Sequence, residues 1–94
     1  MVTNPIFGDE YGALIDTLIA ARTDAGLSQR QLARRLNRSQ SHVCMIEKRQ
    51  RRVEIVEFCR IAAALRVEPE ALFVRVLEKI RKAEHPAPPL RRVA

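Results

Sequence analysis

Apolar residues fall at three- and four-residue intervals along most of this chain, the spacing of one face of an α-helix. Leu14, Leu18 and Ala21, with Ile15 and Ala25 alongside, form the first such stripe. It predicts a helix that begins near Asp9, a residue suited to an N-cap, and runs through Ala25. Gly26 then supplies the left-handed residue past a helix end. Ser28 is suited to cap a second helix, and Gln31 three residues on completes a capping-box spacing. In that helix Leu32, Ala33 and Leu36 are expected inside, with Arg30, Arg34, Arg35 and Arg38 outside. Asn37 tolerates the left-handed backbone of a tight turn between helices. Ser39 caps a third helix, which is expected to bury Val43 and Ile46. Its remaining side holds Gln40, Ser41, Cys44, Met45 and Lys48, a polar face led by an amide.

Residues 48–54 make a basic connection to a fourth helix ending near Leu65, whose expected inner face is Ile55, Phe58, Ile61, Ala62 and Leu65. Pro69 fits the first turn of a fifth helix that runs to about Ala83 along Leu72, Phe73, Val76, Leu77 and Ile80. From His85 onward, Pro86, Pro88 and Pro89 forbid helix. One domain over residues 9–83 is therefore expected, followed by a flexible, basic, proline-rich tail over 84–94. The fold class is all-α. Ninety-four residues suffice for one core, and the scarcity of glycine and aromatic residues agrees with helix throughout.

Charge adds function to this outline. Residues 28–52 hold Arg30, Arg34, Arg35, Arg38, Lys48, Arg49, Arg51 and Arg52 against a single acid, Glu47. The whole chain carries a formal charge of +6, so the rest of it is one charge negative. Basicity confined to the second and third helices is what a phosphate-facing surface needs. Two short helices joined at Asn37-Arg38, the second opening in small polar residues, form the helix-turn-helix pattern whose second helix can lie in a DNA major groove.

Other classes find little support. Cys44 and Cys59 lie in no Cys-x-x-Cys pair and only His42 lies near Cys44, so no metal site is expected and both thiols read as reduced, small helix residues. His42 and His85 read as surface histidines. There is no paired-carboxylate context, no glycine-rich phosphate loop and no Cys/His nucleophile pair, so neither enzyme activity nor a cofactor is expected. No apolar run approaches the roughly 20 residues of a membrane span, and Met-Val-Thr-Asn-Pro does not open a signal peptide. A cytoplasmic protein is expected.

Arg22, Gly26-Leu-Ser-Gln29, Leu32-Ala33, Leu36, Ser39-Gln40-Ser41, Val43, Ile46-Glu47 and Ile61-Ala-x-x-Leu65 resemble the Cro/C1-type (lambda-repressor-like, XRE) helix-turn-helix domains over roughly Leu14 to Phe73. The resemblance implies a five-helix lambda-repressor-like bundle in which helices 2 and 3 form the helix-turn-helix. It implies that Gln29 bonds a backbone phosphate and can brace Gln40, that Gln40, Ser41 and Met45 face base edges, and that the arm Arg49–Arg52 approaches phosphates. Arg22 and Glu47 are implied to pair internally. Glycines common in the family are replaced here by Asn37, Arg49 and Arg66. Either the loops at Arg49 and Arg66 differ in shape or a left-handed penalty is carried for an added charge.

The DNA-binding set expected on these grounds is Gln29, Arg30, Arg38, Ser39, Gln40, Ser41, Cys44, Met45, Lys48, Arg49, Arg51 and Arg52. Gln40 suits a bidentate contact to adenine. Met45 has two roles open to it, packing on a thymine methyl or packing back on the second helix. Val76, Leu77 and Ile80 either fold back on the first helix or form a dimer seam, and the few base contacts of one module favour the seam. The expected activity is that of a homodimeric, sequence-specific transcriptional regulator of double-stranded DNA, most often a repressor on a palindromic operator. The alternative is an antitoxin-like interaction protein that uses its fifth helix or tail to hold a protein partner.

Overall fold

Residues 5–83, those the computed structural model describes, form five helices: α1 (Pro5–Asp24), α2 (Gln29–Leu36), α3 (Gln40–Glu47), α4 (Ile55–Leu65) and α5 (Pro69–Ala83). Local chemistry sets most of these limits. Ser28 accepts from the Gln31 N–H while the Gln31 side chain accepts from the Ser28 N–H, a complete capping box for α2. Ser39 accepts from the His42 N–H and opens α3. Pro69 is the first residue of α5. The start of α4 carries no such signal in sequence: the Glu54 carboxylate caps it by accepting from Val56 and Glu57 N–H groups.

Each of α1 to α4 ends in the same paired turn. Leu27 N–H reaches the Arg22 carbonyl and Gly26 N–H that of Thr23; the same crossed bonds recur at Asn37-Arg38, Arg49-Gln50 and Arg66-Val67. The turning residue is left-handed every time, with φ of 74° at Gly26, 57° at Asn37, 63° at Arg49 and 60° at Arg66. Arg49 and Arg66 therefore keep the turn and bear its strain. Arg66 is exposed, and among the described residues its side chain makes no hydrogen bond or ion pair. Arg66→Gly is thus expected to raise stability by about 1 kcal/mol, seen in thermal unfolding as a Tm higher by roughly 4–8 °C.

The core gathers Ile15, Leu18 and Ala21 of α1, Leu27, Leu32 and Ala33, Val43 and Ile46 of α3, Phe58, Ile61, Ala62 and Leu65 of α4, and Leu72 and Val76 of α5. α1 packs along α5 and against α3, while α2 sits between α3 and α4. Thr17 is buried within the α1 face, its hydroxyl satisfied by the Ala13 carbonyl 2.8 Å away.

Several expectations need correction. α1 begins at Pro5, so Asp9 lies within the helix and caps nothing. Ala25 is exposed, since it sits in the turn beyond α1. Ile55 and Phe73 are 70% and 48% exposed, although both follow the apolar period of their helices. Ile55 is the first residue of α4, and Phe73 reaches only the edge of the core, meeting Phe58 edge-to-face at 6.3 Å. Val76 is 3% exposed and belongs to the chain's own core, while Leu77 and Ile80 are half-buried. The expected tail, 84–94, and His85 with it, lie outside the described residues.

Candidate nucleic-acid interface

α3 is a short helix with two unlike sides. Val43 and Ile46 are buried, so Gln40, Ser41 and Met45 are left exposed on the other side, with Cys44 half-buried beside them. Met45 is 39% exposed. Lys48 follows at the end of the same helix and is exposed. Ser39 is spent on the cap, which holds the first turn of α3 in place.

Three helices are locked together behind this face by one carboxylate. Glu47 Oε2 accepts from Arg22 Nε at 2.6 Å, and Oε1 accepts from Arg22 Nη2 at 3.1 Å and from Gln29 Nε2 at 2.8 Å. Arg22 Nη1 also donates to the Leu27 carbonyl at 2.7 Å. The side chains of Arg22 and Glu47 are only 16% and 10% exposed. The expected internal pair is thus present, and it includes a third member. Gln29 makes no hydrogen bond to Gln40; its Nε2 donates to Glu47. Arg30 takes that place instead: its Nη2 donates to Gln40 Oε1 at 3.4 Å.

His42, expected at the surface, is half-buried and its Nε2 lies 2.6 Å from Glu57 Oε2, tying α3 to α4. A histidine at the third position of a short helix gives no local hint of a carboxylate fifteen residues on. Tyr11 plays a similar role for the basic connection. Its hydroxyl donates to the Arg51 carbonyl at 3.3 Å and accepts from Val53 N–H at 3.1 Å, pinning residues 51–53 to α1.

The cations divide into two groups. Arg35 Nη1 donates to the Ala64 carbonyl at 2.8 Å in the last turn of α4, so it is structural. Arg49 folds back on α1: its guanidinium lies over Gly12, where an added Cβ would come within 2.8 Å of it, and Nη2 stands 3.8 Å from Asp16. The expected phosphate role of Arg49 is corrected to this extent, since its head points along α1. Gly12 gave no sign of this in sequence, as the contact spans the whole helix-turn-helix. Arg38, Arg51 and Lys48 remain exposed, and the guanidinia of Arg38 and Arg51 make no hydrogen bond or ion pair among the described residues. Arg52 is also exposed, and it is engaged in an interaction within the chain. The exposed face of α3 is thereby bordered by Arg30 on α2 and by the cations of the two flanking turns.

Comparison with known proteins agrees with this geometry. The sequence model of the helix-turn-helix domain family matches residues 13–73. A search of curated protein sequences finds no significant match. Among solved structures, an XRE-family like protein from Pseudomonas syringae pv. tomato superposes with a TM-score of 0.72 at 37% identity, over 78% of this chain and 89% of that one. The clp gene regulator ClgR from Corynebacterium glutamicum superposes with a TM-score of 0.70 over 78% of each chain, and at 19% identity it speaks for the fold alone.

Proposed function

The chain belongs to the helix-turn-helix domain family, of the XRE type, and from that premise we propose that it is a sequence-specific, double-stranded DNA-binding transcriptional regulator. The observation that carries the reading is the outer side of α3. Gln40, Ser41 and Met45 stand exposed on a helix whose other side is fixed in the core, with exposed cations on both flanking turns. Such a helix can enter a major groove while the cations meet phosphates on either side. Rigidity matters here, because base readout needs side chains held in register, and the Glu47 and His42 contacts provide it.

In this reading the regulator is a homodimer on a palindromic operator, and occlusion of a promoter makes it a repressor acting in the cytoplasm. Support for self-association comes from an apolar groove of about 330 Å³ between α1, the start of α4 and α5. Tyr11, Leu14, Val53, Ile55, Phe73 and Ile80 are among the residues that line it, and Ile55 and Phe73 are exposed. An exposed apolar patch of this kind is suited to association with another surface. Val76 and Ile80 of the expected seam line this groove too, and Leu77 does not.

The deciding experiment is selection from random duplexes with the purified chain, followed by affinity measurements at several salt concentrations. The expected result is a palindromic consensus with half-sites about one helical turn, roughly 34–36 Å, apart, and log K falling against log salt by about 0.9 per phosphate contacted. Absence of enrichment, with binding that only fades as salt rises, would sink the regulator reading. A salt-resistant complex with a protein partner would then favour the antitoxin-like alternative, with the same groove as its docking surface.

A further inference from the structure

Arg60 of α4 lies outside the basic segment, yet it comes together with two arginines of that segment. Arg38, in the turn before α3, Arg51, in the connection after it, and Arg60 line one cavity of about 230 Å³, together with Glu54 and Glu57. None of the three guanidinia makes a hydrogen bond or ion pair among the described residues. By contrast Arg22, Arg35, Arg49 and Arg75 are each engaged by a carboxylate or a carbonyl. Three arginines from three separate elements, unpaired around one opening, are suited to a planar or tetrahedral oxyanion.

One oxygen of each carboxylate is already engaged. Glu54 Oε1 accepts from the N–H groups of Val56 and Glu57, and Glu57 Oε2 is held by His42. Neither lies within ion-pair distance of the three arginines, and three cations outnumber two anions. We propose that Arg38, Arg51 and Arg60 form a subsite for one phosphoryl oxyanion, with Arg60 as the member that completes it. The ligand chemistry is shared by a phosphodiester of duplex DNA and a free phosphate ester. The two carboxylates weaken the site for a free anion, whereas a backbone phosphate arrives tethered to the α3 contact at high effective concentration. The DNA source rests on the reading of α3 given above; the free source does not.

The test has two arms. In the first, Arg60→Gln is compared with the unsubstituted chain on selected and unrelated duplexes across a salt series. The expected result is weaker binding to both by a similar factor, with the slope of log K against log salt smaller by about 0.9. Arg66→Gln, at the far end of α4 and outside the cavity, should leave the slope unchanged. In the second arm, pyrophosphate is titrated without DNA, at ionic strength matched with chloride, while the Nε–Hε resonances of Arg38, Arg51 and Arg60 are followed by NMR. A reduced slope without a saturable shift assigns the subsite to the DNA backbone. A saturable shift that Arg60→Gln abolishes assigns it to a free phosphate ester, even if the chain binds no duplex. An unchanged slope together with unsaturable shifts overturns the proposal.

Discussion

Glu47→Ala is expected to lower the unfolding free energy by about 3–5 kcal/mol, the range for stripping one partner from a buried ion pair. The carboxylate is 10% exposed and takes hydrogen bonds from Arg22 and Gln29, so its removal strands a guanidinium and an amide in a site with little access to water. For a domain of this size the corresponding fall in Tm is roughly 12–40 °C, at about 4–8 °C per kcal/mol. Since small domains are stable by only about 5–15 kcal/mol, that is a large fraction of the total. Two further variants separate electrostatics from packing. Glu47→Gln retains an acceptor for one of the donors and should lose less. The double variant Arg22→Met, Glu47→Leu removes both charges and should recover much of the loss. If urea unfolding instead shows Glu47→Ala losing under about 1 kcal/mol, the pair is screened as a surface pair is, and the anchoring of α3 must lie elsewhere.

What sequence conveys about this fold follows the range of the interactions involved. Ser28 with Gln31, Ser39, Gly26, Asn37 and Pro69 act within four residues, and each marks the boundary it was expected to mark. The interior was legible for the same reason: Val43 with Ile46, and Phe58 with Ile61, Ala62 and Leu65, follow helical spacing into the core. Periodicity fails where a helix ends at an edge. Ile55 and Phe73 keep the period, yet one starts its helix and the other overhangs the core, so both face outward.

The candidate interface was legible as a face of α3 and as a charge sum, and far less so as individual contacts. Gln29 to Glu47, His42 to Glu57, Arg35 to Ala64 and Tyr11 to Arg51 join residues 15 to 40 positions apart. No spacing rule reaches so far. Arg60 escaped notice because charge was summed along the chain, whereas a cavity sums it across α4 and two turns. Arg49 was misplaced for the complementary reason. Its left-handed backbone aims the side chain at Gly12 and Asp16 rather than out along the basic arm.

Gln40→Ala is the sharpest test of readout, and its effect should appear in specificity rather than in stability. Gln40 is the exposed first residue of α3, and among the described residues its side chain hydrogen-bonds only Arg30, at 3.4 Å, so truncation leaves no buried group unpaired. A bidentate glutamine–adenine contact discriminates by about 1–3 kcal/mol. Preference at one position of each half-site should therefore drop by roughly 5- to 150-fold, with other positions little changed. Affinity for unrelated duplexes should hold, and so should the salt slope, because phosphate contacts are untouched. Fluorescence anisotropy against a panel of single-base variants, at one fixed salt concentration, reads all of these at once. Arg30→Ala belongs in the same panel as the contrasting case: it removes a cation and also frees the Gln40 amide, so it should lower both the salt slope and the discrimination at that same position. If Gln40→Ala left every preference intact, base readout would fall to Ser41 and Met45, and α3 would be recognising the groove through contacts that carry less sequence information.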